Sequence, residues 1–443
     1  MWPSRRYFLK LTLVIFLTCL GAILMVYSTD KMVLRYSRDP KVEFDTSKTV
    51  PPSPEQMIPT CRSDPKDDPL VNHLSKFYSV WYDPPTEKTL TKREQIIILI
   101  WTQLLDDSLR EGVQKGRRTR CDRISNCIFS KYREDIHKAD AVLFEVSKLP
   151  EDYNSSAMPT VRYPHQHWIW YRTECPNYRS INFETYRSVF NWTVSYRADS
   201  DSSGIWGSLY KTYQRVKDEG VDPNKDYTAG KKKLAVWFIS KCNTQANRIA
   251  YATELVKHMH IDVYGRCGTN DVCAKKKFKC MNDIIRQYKF YIAFENMKCK
   301  EYLTEKFWRN ALENDVVPVV LGANRSDYER LAPPHSYIHV DDFNSPKELA
   351  DYLNLLAHDK DRYNAYFKWK TIPPPKNMPL DEGRWCNLCR ELLERCPTKR
   401  KVYTDLRTWW EGENLSMCDP VENVKYQELR FVNDHFVAAN FTD

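Results

Sequence analysis

From Leu234 to Asp359 the chain alternates between two periodicities, and this restricts its fold more than any other feature. LAVWFIS (Leu234–Ser240) is an apolar run of strand length, and NRIAYATELVKHM (Asn247–Met259) repeats apolar residues at helical spacing. The strand IDVYG, the helix CMNDIIRQY, the strand KFYIAF, the helix TEKFWRNALEN and the strands VVPVVLG and YIHV follow in turn. Ser345 and Glu348 then form a capping box that opens the helix PKELADYLNLLAHD. Strands separated by helices join through right-handed crossovers, so the stretch predicts a parallel sheet covered by helices. Earlier, IIILIW (Ile96–Trp101), AVLFEV (Ala141–Val146) and HWIWY (His167–Tyr171) mark strands of a first domain.

The N-terminus carries a different signal. Arg5, Arg6 and Lys10 precede an uncharged apolar run, Leu11–Tyr27, near the lower length limit of a membrane span. Basic residues ahead of a first apolar segment keep that end cytoplasmic. A cleaved signal peptide is the alternative, but its apolar core is usually shorter, and MVYSTDK offers a poor cleavage site. The expected order is a cytoplasmic tail (1–10), a transmembrane signal-anchor (11–27) and a proline-rich spacer (28–89). A first domain (90–216), a polar linker (217–233), a second domain (234–372) and a cysteine-containing C-terminal segment (373–443) follow.

Of the 14 cysteines, all but Cys19 lie beyond the anchor, which suits an oxidising lumen. N-x-S/T sequons at Asn154, Asn191, Asn324, Asn414 and Asn440 fit the same compartment. The net charge of +9 is modest for 443 residues and is not gathered into a basic arm, so it does not argue for nucleic acid.

Ligands of open parallel sheets bind beyond the carboxyl ends of the strands. There the sequence places Asn243 and Arg248, then Glu295 and Asn296, then Thr304, Glu305 and Lys306 at a helix start. Arg248 and Lys306 are a candidate pair for a diphosphate, and Glu174 would face them from the first domain. Taken alone, a Glu-Lys pair at a helix start is usually a solvated face, and a carboxylate after a strand is commonly a helix cap. Neither a dinucleotide-binding GxGxxG nor a P-loop motif occurs. The DSD run, Asp199–Asp201, has the spacing of a metal-nucleotide site, but no convincing strand precedes it. Cys386, Cys389, Cys396 and Cys418 have zinc-like spacing, and in an oxidising lumen the reading favours disulfides.

The segment FENMKCKEYLTEKFWRNALENDVVPVVLG resembles the signature of the α1,3-fucosyltransferases, a family of Golgi type II membrane glycosyltransferases (GT10-like). HWIWYRTECP, FNWTVSYRADSD, VWFISKCNTQANRIAYATEL and the C-terminal CNLC are similar to further family blocks. The resemblance covers roughly residues 90 to 420. It implies a GT-B fold: two Rossmann-like α/β domains facing a cleft, here behind a single transmembrane helix and stem. It also implies inverting transfer of fucose from GDP-β-L-fucose in α1,3 linkage to GlcNAc of glycoprotein glycans, on an N-glycan core or an N-acetyllactosamine.

Carried over by position, Glu174 matches the catalytic base, and Arg248, Asn296, Tyr302, Glu305 and Lys306 match donor-binding residues, with Glu295 in the same motif. No cofactor is required on this reading, and a divalent cation, Mn2+ or Mg2+, would at most stimulate. The expected partners are GDP-fucose and glycan acceptors, for a membrane-anchored protein with its catalytic part in the Golgi lumen. A catalytically inactive lumenal sugar-binding relative is the alternative, and the presence of Glu174 and the cation pair argues against it. The sequence departs from the family in having ECP for the commoner ESP and FENM for FENS, which puts an extra cysteine, Cys175, beside the expected base.

Overall fold

The long apolar runs become the strands of two parallel sheets. The computed structural model describes residues 95–104, 127–163, 165–176, 181–204, 206–242, 248–268, 273, 277–376, 378, 381, 383–394 and 400–420, with the strand backbones at 78–81, 429–432 and 435–438. The expected anchor at 11–27, Asn243, Cys396 and Asn440 lie outside these residues. Among the described residues no helix is long and apolar enough to cross a membrane.

After β1 (Tyr78–Trp81), the first sheet takes β2 (Ile96–Ile100), β3 (Cys127–Ser130), β4 (Ala141–Glu145), β5 (His167–Tyr171) and β6 (Trp192–Val194), in the order β3-β2-β4-β5-β6. All its pairs are parallel. The periodicity reading misses β3 and β6. Each is a short edge strand, of four and three residues, placed by its neighbour.

The second sheet is also parallel, with β7 (Lys233–Phe238), β8 (Ile261–Tyr264), β9 (Tyr288–Phe294), β10 (Val317–Leu321) and β11 (Ile338–His339) in the order β11-β10-β9-β7-β8. Apolar clusters cover both its faces. Burying each large apolar side chain contributes about 1.5–3 kcal/mol, which is why uninterrupted apolar strands settle there. In the capping box of helix Pro346–His358, Ser345 Oγ accepts from the Glu348 N–H at 3.2 Å, while Glu348 reaches back one residue further, to the Asn344 N–H at 3.0 Å.

The C-terminal segment returns to the first sheet. Helix Arg384–Glu394 packs Leu388, Cys389 and Leu392 against it, and Cys389 is disulfide-bonded to Cys127. β12 (Arg400–Tyr403) pairs antiparallel with β1, a strand lying inside the stretch expected as spacer. Helix Leu406–Glu411 brings Trp409 and Trp410 edge-on to Trp170 of β5, at 5.8 and 4.5 Å between ring centroids. The last strands, β13 (Leu429–Val432) and β14 (His435–Ala438), form a hairpin.

Candidate active site

β5 ends at Tyr171, and three residues further Glu174 emerges partly exposed at the carboxyl edge of the first sheet. β9 ends at Phe294, and the chain beyond it crosses toward the first domain. Met297, Cys299 and Tyr302 enter the same apolar cluster as Trp168 and Trp170. Within it the Tyr302 hydroxyl donates to Glu174 Oε2 at 3.0 Å. Two residues 128 positions apart thus meet between the two sheets' carboxyl edges.

The opening turn of the next helix is built around one buried acid. Glu295 is fully buried; its Oε1 accepts from the Thr304 N–H (2.9 Å) and hydroxyl (2.7 Å), and its Oε2 accepts from Lys306 Nζ (2.8 Å). Lys306 also donates to Thr304 Oγ1 at 2.8 Å and lies 3.5 Å from Glu305. Burial works against the ammonium, and the two carboxylates outweigh it, so its pKa rises and the cation is kept. For Glu305, Lys306 and Arg309 outweigh burial, which holds the carboxyl below its usual range. Burial raises the Glu295 pKa against the opposing pull of Lys306.

The expected helix begins here as a π-helix, Lys306–Ala311, in which the Asn310 N–H reaches the Glu305 carbonyl at 2.8 Å, and closes as a 3-10 turn, Leu312–Asn314. π-turns often accompany functional sites. Gly322, after β10, makes room for the acid: a Cβ there would stand 2.7 Å from Glu295 Cβ and Cγ.

The remaining expected donor residues gather at the same edge. Arg248 donates to the carbonyls of Phe294 (3.0 Å) and Lys241 (2.8 Å), tying the ends of β9 and β7, while its Nε–H has no partner among the described residues. Burial pulls its pKa down to about 10, so it remains a cation at neutral pH. Asn296 is buried, and its side-chain oxygen has no partner among the described residues. Glu295 and Arg248 are therefore mainly internal ties, whereas Glu174, Glu305 and Lys306 keep some exposure. Sequence reasoning overlooked Glu145 and Arg172, both buried at the ends of β4 and β5. The rule that led to Glu174, polar residues at strand carboxyl ends, would have found them. Burial pushes the Glu145 carboxyl up and the Arg172 guanidinium down.

The DSD acids are engaged by the protein. Asp199 pairs with Arg197, and Asp201 accepts from the Thr193 N–H (2.9 Å), the Tyr403 hydroxyl (3.0 Å) and Lys401. Cys418 bonds Cys299, and Cys386 is also disulfide-bonded. Cys242–Cys267 and Cys273–Cys280 brace the second domain. The sulfurs of Cys175, Cys299 and Cys418 lie within 4.8 Å of one another, but two are bonded and so do not offer a three-thiolate metal site. Cys175 is the free cysteine among the described residues; burial pushes its thiol pKa far up, leaving it inert.

Four sequons divide by exposure. Asn154, Asn324 and Asn414 are exposed. Asn191 is 4% exposed, its Oδ1 accepts from the Trp168 N–H at 2.6 Å, and its Nδ2 donates to the Gln166 carbonyl. The folded chain therefore hides this sequon, which serves as a tie between β5 and β6. Glycopeptide mapping of secretory-pathway material is expected to find glycan at Asn154, Asn324 and Asn414 and none at Asn191. Occupancy at Asn191 would show that the side chain is open to modification and that this buried tie does not form.

Two parallel sheets flanked by helices, with Glu174 at the carboxyl edge of one meeting Tyr302 from beyond the carboxyl edge of the other, place the chain in the α/β class. The chain belongs to glycosyltransferase family 10, the fucosyltransferases: residues 228–409 match "Glycosyltransferase family 10 (fucosyltransferase) C-term" and residues 93–207 match "Fucosyltransferase, N-terminal". It is 34% identical over 364 residues to glycoprotein 3-alpha-L-fucosyltransferase A of Drosophila melanogaster, covering 82% of this chain and 68% of that one. To alpha-(1,3)-fucosyltransferase 7 of Homo sapiens it is 33% identical, covering 72% of this chain and 86% of that one. A crystal structure of an alpha1,3-fucosyltransferase with GDP-fucose aligns at 16% identity and a TM-score of 0.42, over 70% of this chain and 94% of that one.

Proposed function

We propose that this protein transfers fucose from GDP-β-L-fucose, with inversion and in α1,3 linkage, to GlcNAc of glycoprotein glycans. The observation that carries the reading is the meeting of Glu174, at the end of β5, with the Tyr302–Lys306 segment that follows β9. In the reaction the acceptor hydroxyl oxygen bonds to C1 of fucose as the bond from C1 to the diphosphate oxygen breaks. Glu174 takes the hydroxyl proton. Negative charge grows on the departing GDP, and Lys306 meets it as a fixed cation, with Arg248 contributing through its unpartnered Nε–H. Glu305 stands beside the positive charge that develops on the sugar ring. With two resident cations the diphosphate is neutralised by the protein itself, and Mn2+ or Mg2+ would act as stimulants at most.

On this reading the two sheets are the halves of a GT-B enzyme. Leu11–Tyr27 anchors the chain as a single-pass Golgi protein with its catalytic part in the lumen, in keeping with its basic flank and the disulfides. The test incubates the full-length protein with GDP-fucose and, in parallel, a truncated N-glycan core and an N-acetyllactosamine, and weighs the products. One added deoxyhexose identifies the acceptor. Bound GDP with no addition to either glycan would sink the transferase reading on these acceptors.

A further inference from the structure

We propose that Tyr302 is the positioning residue of the base, a role resting on the reading of Glu174 as the group that takes the acceptor proton. The phenol belongs to the second domain's sequence but is buried in the first domain's cluster, with its ring 4.9 Å from Tyr196. Its hydroxyl fixes Glu174 Oε2 at 3.0 Å, leaving Oε1 to receive the proton. Burial, with Glu174 beside it, pushes the phenol pKa well up, so the hydroxyl keeps its proton and remains a donor.

The backbone that presents this phenol is braced at several points. Cys299 is disulfide-bonded to Cys418, and its carbonyl accepts from the Tyr302 N–H at 3.3 Å. The Lys300 N–H donates to the Met417 carbonyl (2.9 Å) and the Asp419 N–H to the Lys298 carbonyl (2.8 Å). Between them Glu301 is held in the left-handed region at φ 61°, a conformation that persists in a non-glycine residue only when its surroundings enforce it. Those surroundings are specific. The Glu301 N–H donates to Asp327 Oδ2 (2.9 Å), Arg330 pairs with its Oε1, and its Oε2 accepts from the Ala198 N–H of the first domain (2.8 Å). The loop from Lys298 to Tyr302 is thus a clasp between the domains, with the hydroxyl on Glu174 at its tip.

A base displaced by about 1 Å loses on the order of a hundredfold in rate. The Tyr302→Phe variant keeps the ring packed against Tyr196 and removes only the hydroxyl. At saturating GDP-fucose, kcat for transfer to the acceptor is expected to fall about ten- to a hundredfold. The slow hydrolysis of GDP-fucose by water, measured without acceptor, is expected to fall much less than transfer, because it does not depend on an oriented acceptor hydroxyl. Unchanged kcat for transfer would overturn the proposal. An equal fall in transfer and hydrolysis would also overturn it, since the hydroxyl would then serve the departing diphosphate. Wild-type turnover by Glu174→Gln would remove the base itself and both readings with it, whereas an inactive Glu174→Gln beside a fully active Tyr302→Phe removes only this one.

Discussion

Replacing Glu174 by glutamine is expected to lower kcat by roughly 10²–10⁴, the range a positioned acid-base group contributes. A thousandfold loss corresponds to about 4 kcal/mol of transition-state stabilisation. The substitution is close to isosteric, and the amide oxygen can still accept the Tyr302 hydroxyl, so the packing between the domains should survive. What is lost is the ability to take a proton. Because the cation and its carboxylate partners lie on the other domain, GDP affinity should stay within about twofold of wild type, since no charge there changes. Isothermal titration with GDP and single-turnover product formation measure the two quantities separately. Retained turnover would dismiss Glu174 as the base. Loss of GDP binding together with turnover would show a collapsed site rather than a missing base.

Glu295→Gln should instead unfold the donor edge. The carboxylate is buried and receives three hydrogen bonds, two from Thr304 and one from Lys306, whose charge also attracts it. A glutamine has one acceptor oxygen. Whichever way its amide turns, its NH2 group faces either the Lys306 ammonium or the Thr304 N–H and hydroxyl, a donor against a donor. Breaking a buried ion pair from one side costs about 3–5 kcal/mol, because the remaining charge is left without its counter-ion. Glu305 cannot replace it, being already 3.5 Å from the same ammonium and partly exposed. The expected result is a large fall in melting temperature by differential scanning fluorimetry, partly restored by saturating GDP, which brings negative charge to the stranded lysine. A melting temperature within a degree or two of wild type would show that the pair carries little of the local stability.

These two acids also show how much of the site could be read from the chain. Glu295 and Glu174 are both found by one local rule, that polar residues at the carboxyl ends of buried parallel strands line a ligand site. The rule located them but did not separate their roles. Their chemistry differs because one is enclosed beneath Gly322 and Lys306 and the other is left partly open. The same gap explains Asn191, whose sequon is a purely local pattern, while its burial depends on β5 lying beside β6. It explains the cysteines as well. An oxidising address favoured disulfides, but Cys389 finds a partner 262 residues away and Cys418 one 119 residues away, and no spacing within CNLC encodes either.

Periodicity over a dozen residues is a property of the chain alone, because the side chains of one strand or helix meet the same face whatever else is folded. It determined the central strands β2, β4, β5, β7, β9 and β10, the helix at Pro346–His358 and the parallel α/β class. β3 and β6, edge strands of four and three residues with no long apolar run of their own, form because a neighbour's unpaired backbone groups recruit them. The contact between Tyr302 and Glu174 and the Cys299–Cys418 clasp are likewise decided only in three dimensions. Each joins groups far apart in sequence, and its energy comes from the burial and exclusion of water that appear only once both sheets and the returning C-terminal segment have packed.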